Sequence, residues 1–260
     1  MTSLFACWLD GRGLQDIDPA IAITDVTEYA PEVEVHTART PRGLRHFDLQ
    51  RQSLTVSVTF VVRERSPIRR AAILQRVAAW AEGSLLTLGH RPGQRLPCVC
   101  TALPEPGSAL KWYAPLQVAF TAFECPWWES VQPATAWISP AVTQGSAVLQ
   151  PAGSARQTPV EALIYNQSAE TLQSLTLRCG DTCMAFTNLD MLPGQRLHVT
   201  HDSHGRLSLT LLGETSRSVM HLRTPDSHDE LLARCSAANV VSVSADQPVT
   251  AKFTARGRFA

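Results

Sequence analysis

The sequence predicts a mainly β protein with one or two helices: an α+β first half followed by a β-sandwich second half. Three observations predict this. In SLTVSVTFVV, Leu54, Val56, Val58 and Phe60 alternate with Thr55, Ser57 and Thr59, the period-2 signature of a half-buried strand. The next stretch carries one amphipathic helix at about 67–82, with Ile73, Val77 and Trp80 on a single stripe beside Leu74 and Ala81. After Pro159 many short apolar runs recur at regular spacing, as in a sandwich or barrel.

Each element has its own local reason. LFACWL and IAITDVTEY read as strands, with Asp10-Gly11 and Gly13 as the hairpin turn between them. Residues 31–52 are polar, Arg-rich and interrupted by Pro31 and Pro41, so they read as a long arm or loop of the kind that makes contacts beyond its own core. Ser66 sits where an N-cap belongs, and Pro67 at the first helical position, where its missing N–H costs nothing. Arg69, Arg70 and Arg76 lie off the apolar stripe, and Gly83 is a stop. SLLTL, CVCTAL and PLQVAFTA read as further strands, the last ending before Pro126. Residues 131–158 are rich in Ser, Ala, Pro, Gly, Thr and Gln and read as a linker or domain entry, between a first domain at 1–130 and a second at 159–260. In the second, VEALIYN and LQSLTLRCG are strands, Pro193-Gly194 is a turn, and RLHVT and RLSLTLL form the clearest hairpin, with Gly205 at its turn. SRSVMHLR reads as a strand. Ser227 and Glu230 fit a capping box that would start a short helix through LLARC. NVVSVSA and PVTAKFTARGRF close the chain as two strands.

Composition excludes several functions. The formal net charge is zero, which removes the simple electrostatic case for wholesale nucleic-acid binding. Charge is nevertheless segregated: in residues 1–35 seven acids against Arg12 leave −6, and in residues 36–76 nine Arg against Asp48 and Glu64 leave +7. The two segments can pair within a subunit, pair between neighbours, or stand as two solvated faces. No basic stretch followed by an apolar one opens the chain, and no apolar run approaches the length of a membrane helix, so neither a signal peptide nor membrane insertion is expected. Seven Cys without a secretory signal read as free thiols. Cys98 and Cys100 would project to one face of a strand, and Cys179 and Cys183 flank a short turn; neither pair has zinc-site spacing. The glycosylation sequon at Asn166 means nothing without secretion. No metal and no cofactor are expected.

Chemical motifs are mostly missing. There is no phosphate loop, dinucleotide fingerprint or HExxH. His201, Asp202, Ser203 and His204 fall in a predicted hairpin turn, where Asp and Ser favour local backbone bonding, and a nucleophile would need a base held on a rigid frame. Ser227-His228-Asp229 names three triad residue types consecutively, but triads are assembled in space from separated positions. Trp127-Trp128 reads as domain-edge packing, with a sugar or nucleic-acid stacking platform as the alternative. No enzyme is expected.

Four stretches together resemble the distal tail proteins of long-tailed bacteriophages and related prophage tails. They are the LTVSVTF strand before the helix ending near Trp80, the close Phe123-Glu124-Cys125-Pro126-Trp127-Trp128, the Gly-containing run into Thr158-Pro159-Val160, and the tail from Ser227 and Asp229-Glu230-Leu231 to Arg256-Gly257-Arg258-Phe259. The resemblance spans both halves. It implies a ring-forming N-terminal domain, a homo-hexamer continuous with the tail tube, and a galectin-like or oligonucleotide-binding-like C-terminal domain projecting outward. The partners it implies are other copies of the chain, the tail tube protein, and tail-tip hub or receptor-binding fibre proteins. DNA would pass through without being gripped. The expected location is the virion tail, with assembly in the host cytoplasm. On that reading Asp16, Asp18, Glu32 and Glu34 would face Arg39, Arg42, Arg45 and Arg51 across each subunit boundary, a heterologous contact repeated until the ring closes.

A rival reading is a carbohydrate-binding sandwich at 159–260 that attaches to a host-surface glycan. Fold alone does not establish it, and the second half has no Trp after Trp137 to stack on a sugar.

Overall fold

Cys7–Leu9 (β1) and Arg12–Gly13 (β2) pair antiparallel around Asp10 and Gly11, whose φ angles of 50° and 78° are the left-handed pair that a two-residue hairpin requires. The hairpin predicted here thus closes on β2 and not on IAITDVTE. The computed structural model describes residues 5–41, 43–105, 107, 113–201 and 206–260, with side chains left out at 40 and 45–49. The chain forms two compact units, Met1–Trp128 and Glu129–Ala260.

In the first unit, Ile21–Glu28 (β3) pairs with Gly43–Val62 (β5), a strand of 20 residues. Glu32–Thr40 (β4) pairs with the first half of β5, so the segment expected as a long arm or loop is an arm built of two paired strands. Helix α1 (Pro67–Trp80) follows, then Leu85–Leu88 (β6), Gln94–Pro97 (β7), Val99–Ala102 (β8) and Leu116–Ala122 (β9). Strands β2, β1, β6 and β7 lie side by side in one sheet, and β3, β5, β9 and β8 in another. CVCTAL is therefore broken: the chain leaves one sheet at Pro97 and joins the other at Val99, so Cys98 and Cys100 do not share a strand.

The predicted alternation is the observed one. Val56, Val58, Phe60, Leu116, Val118 and Phe120 are buried, and their neighbours point the other way. The α1 stripe meets them: Trp80 packs edge-on against Phe120 at 5.7 Å and donates its indole N–H to the Arg12 carbonyl at 2.8 Å. Ser66 caps the helix by accepting from the Arg69 N–H at 3.4 Å. The helix ends at Trp80, before Gly83. Arg70 departs from expectation, because it is buried. Its guanidinium donates to the carbonyls of Glu64 and Arg65 at 2.6 and 2.8 Å and pins the loop that leads into the helix.

Trp128–Ser130 (β10) carries the chain out of the first unit, and the second continues with Ala134–Leu149 (β11), Gln157–Asn166 (β12), Leu175–Cys179 (β13), Thr182–Phe186 (β14), Arg196–His201 (β15), Leu207–Leu212 (β16), Arg217–Ser218 (β17), Leu232–Arg234 (β18), Asn239–Ala255 (β19) and Arg258–Phe259 (β20). Strand β19 organises it. Along one edge it pairs with β11 from Ala134↔Ala255 to Leu149↔Asn239. Along the other it pairs first with β13 and then with β12. The path runs on through β15, β16 and β17. One cluster collects buried side chains from these strands, Leu149, Ile164, Leu177, Phe186, Val199, Leu209, Val243 and Phe253 among them, so the sheet curls around a single core.

Four expectations change here. The segment read as a linker or domain entry at 131–158 contains β11, because its small and hydroxyl-bearing residues sit on the sheet's outer face while Ala136, Ile138 and Leu149 turn inward. The last two predicted strands are one, β19. SRSVMHLR keeps only two residues of strand before a 3-10 turn at Met220–Leu222. No helix follows Ser227: its hydroxyl accepts from the Ala185 N–H at 2.9 Å and donates to the Ala185 carbonyl at 3.2 Å, so the capping residue is spent on β14. The protein is mainly β, with one α-helix among the described residues. Asn166 of the sequon is buried, donating to the carbonyls of Glu170 and Met191 at 2.9 and 2.8 Å.

Candidate assembly surface

Strand β5 has two roles along its length. From Leu54 to Phe60 it is flanked by β3 or β9; from Gly43 to Ser53 its only strand partner among the described residues is β4. The β4–β5 hairpin therefore leaves the sheet as a two-stranded arm about 30 Å long. Residues from Glu32 to Arg39 are all exposed, including Val35 at 53%, and Leu44 near the tip is 73% exposed. A two-stranded ribbon with apolar side chains and open edges is a surface that isolated proteins avoid.

The charged residues expected at an interface divide into groups. Arg39 is exposed on the arm, opposite Leu44. Arg45 is in β5 opposite Ala38, with its side chain outside the described residues, and Arg42 lies outside them entirely. Arg51 is at the root of the arm, its guanidinium 3.6 Å from the centre of the Trp127 ring, where burial pushes its pKa down. Asp18 is taken up within its own unit: a backbone bond from Ala20 and the Arg76 guanidinium at 2.5 Å hold its carboxyl below the usual range. Arg76 also donates to the Ile17 carbonyl at 3.0 Å. Asp16 is exposed. Glu32 accepts from Ser53 at 3.1 Å and Glu34 from Gln52 at 2.5 Å, both across the arm. Acid and base thus pair partly inside the subunit, and Arg39 with Asp16 remains on the surface.

Sequence reading missed the tightest polar cluster. Glu28, the last residue of β3, lies just before the arm. Its carboxylate accepts from Arg91 at 2.8 Å and from the Trp128 indole at 3.0 Å, and lies 2.6 Å from His90 Nε2. Arg91 also lies 4.9 Å from the Trp128 ring centre. Nothing in the local sequence joins these positions; pairing of distant strands does. Both Trp127 and Trp128 are occupied by these contacts, which removes the stacking platform.

The catalytic candidates disperse. Asp202, Ser203 and His204 lie outside the described residues. His201 Nε2 is 3.7 Å from Glu230 Oε1, too far for a hydrogen bond. His228 Nδ1 accepts from the Cys183 N–H at 3.1 Å, and Asp229 pairs with Arg223 at 3.1 Å. Among the described residues no three His, Cys, Asp or Glu side chains are grouped to hold a metal ion, and no helix is long and apolar enough to cross a membrane.

No family model and no curated protein matches the sequence. Solved structures do match in shape. The Dit protein of phage SPP1, described as a paradigm of the hub adsorption apparatus in phages infecting Gram-positive bacteria, is similar over 96% of this chain and 98% of its own, with a TM-score of 0.65 and 13% identity. A chain of the phage P2 baseplate, solved in its activated conformation with Ca, covers 92% of this chain and 90% of its own at a TM-score of 0.50 and 7% identity. The Sr form gives 91% and 90% at the same score. At these identities the likeness is one of fold, and it runs through both units.

Proposed function

We propose that this chain is a structural subunit of a bacteriophage tail, a distal tail protein that forms the hub between tail tube and tail tip. The observation that carries this is the whole-length likeness in fold to a phage hub protein, through both units and nearly end to end. In this reading six copies close into a ring through the first unit, with the exposed arm laid on the neighbouring copy or on the next ring. The tube protein joins one side and hub or fibre proteins the other, DNA passes through the lumen, and the protein resides in the virion after assembly in the host cytoplasm. The arm supports the reading: Val35 and Leu44 gain burial in a ring that they lack in the single subunit, and Arg39 adds register. No step of this role is enzymatic.

Light scattering and negative-stain images of the purified chain, alone and with tail tube protein, test it. Rings of about six subunits are expected, weakened by Val35→Asp with Leu44→Asp, and at low salt by Arg39→Glu with Arg45→Glu. A chain that stays monomeric both alone and with the tube protein overturns the proposal.

A further inference from the structure

Strand β11 is an edge strand: among the described residues it pairs with β19 and with no other strand. None of its 16 residues carries a charge, although exposed edges are ordinarily protected by charge, proline or bulges. Here Pro140 and the register shifts fall between Ile138 and Gln144, and over residues 144–149 the ladder is regular. The direction of its backbone follows from β19. The Val240 carbonyl accepts from the Gly180 N–H at 3.0 Å, on the β13 side. Backbone groups alternate sides along a strand, so Asn239, Val241 and Val243 face β11, where they meet Leu149, Ala147 and Gly145. The N–H and C=O of Gln144, Ser146 and Val148 therefore point to the other edge, where they have no backbone partner among the described residues. Their side chains are exposed, Val148 at 60% next to Val240 at 59%.

We infer that this edge is a self-pairing surface: residues 144–148 pair antiparallel with the same stretch of a second copy of the chain, about a two-fold axis at Ser146. A row of open backbone donors and acceptors is matched by another extended strand. Side-chain parity then sets exposed residues opposite exposed residues. An axis at Ser146 places Ser146 opposite its copy and Gln144 opposite Val148, so every open group of the three residues bonds. Moving the axis to Ala147 leaves Gln144 without a partner. No like charges meet across the axis. Gln144 at the bulge of one copy meets Val148 at the strand end of the other, so the stretch is its own complement in charge and in length. So short a ladder is a small contact, and the pairing depends on concentration. The inference goes beyond the hub reading and uses none of the arm's residues.

The test uses the full chain carrying Val35→Asp with Leu44→Asp, which removes the arm's apolar contacts. Sedimentation equilibrium from about 1 to 200 µM should show monomer passing to dimer, with a Kd of about 10–100 µM. Ser146→Pro should weaken the dimer at least about tenfold and leave the melting temperature unchanged, because the lost N–H faces the open edge. Ala147→Pro removes a bond to β19 and should lower the melting temperature. Ser146→Lys sets two like charges on the axis and should weaken the dimer as much as Ser146→Pro does. Ser146→Cys, oxidised with copper-phenanthroline, should give a covalent dimer linked through position 146 of both copies, read by peptide mapping. The inference is overturned by a chain that stays monomeric at about 200 µM, by a dimer that Ser146→Pro and Ser146→Lys leave intact, or by cross-links that join position 146 to Cys183 or Cys235 instead. A chain that forms no dimer but binds tail tube protein until Ser146→Pro is introduced would also overturn it, and would give the edge to a strand of that protein.

Discussion

Trp128 donates its indole N–H to Glu28 Oε2 at 3.0 Å, tying the last residue of the first unit to the end of β3, where the arm begins. Arg91 and His90 close on the same carboxylate, so one acid positions the root of the arm and the exit of the domain together.

The Glu28 cluster makes stability depend on acid. Burial pushes the carboxyl up, but hydrogen bonds from Arg91 and His90 outweigh it and hold the group below its ordinary 4.5. A carboxylate depressed in the folded state contributes stability above its unfolded pKa and loses it as pH falls through the folded one. Urea midpoints should therefore drop on acidification below about pH 4.5, and Glu28→Gln should flatten that drop. Glu28→Ala should cost about 3 kcal/mol at pH 7, because it leaves Arg91 and the indole without their acceptor. Identical acid profiles for parent and Glu28→Gln would show that other carboxylates set the dependence.

Trp80 tests the helix–sheet contact. Trp80→Ala removes the edge-on contact with Phe120 and the bond to the Arg12 carbonyl, and should cost about 3–5 kcal/mol. Trp80→Phe keeps most of the packing and should lose about 1 kcal/mol with the hydrogen bond. An unchanged melting temperature in the alanine variant would contradict the packing.

Two glycines lock the end of the chain. A side chain on Gly257 would meet the Ala152 carbonyl, and one on Gly153, at φ 136°, would meet the backbone of Arg258. Around them Ser154 and Ala155 both donate to the Arg258 carbonyl at 2.9 and 3.0 Å, and Ser130 and Gly257 bond each other. Gly257→Ala should cost about 3 kcal/mol through backbone displacement. Gly11→Ala, at a turn with open space, should cost only about 1 kcal/mol. Equal losses in the two variants, measured by denaturant unfolding, would count against the close approach.

The buried thiols should be inert. Burial pushes Cys7 and Cys98 up to about 12 and Cys179 to about 11. At pH 8 even Cys179 is thiolate in only about one molecule in a thousand. Iodoacetamide on the native chain should spare all three and mark half-buried Cys183 and Cys235 first, as read by peptide mass mapping; labelling of Cys7 before unfolding would show that the β1–β6 pairing opens.

What the sequence determined by itself is local. The Ser66-Pro67 cap, the stripe of Ile73, Val77 and Trp80, and the alternation of Val56, Val58 and Phe60 each rest on neighbours within a turn or a strand, and each is present in the fold. The hairpin of RLHVT and RLSLTLL is another case. Where a residue's partner is far along the chain, local reading failed. Ser227 looks like a helix cap, but the backbone of Ala185 takes its hydroxyl. The run at 134–149, with its many small and hydroxyl-bearing residues, looks like a linker or domain entry, but β19 supplies it with a ladder of backbone bonds that composition does not reveal. Arg70 looks like solvent-facing charge, but carbonyls of the preceding loop surround it. The candidate assembly surface divides the same way. Segregated charge marked the arm, yet only tertiary pairing shows that Asp18 is already held by Arg76, that Arg51 lies on Trp127, and that Glu28 gathers Arg91, His90 and Trp128. Periodicity and capping act over a few residues, whereas strand pairing selects among distant segments by fit and burial, and that choice is made only when the whole sheet forms.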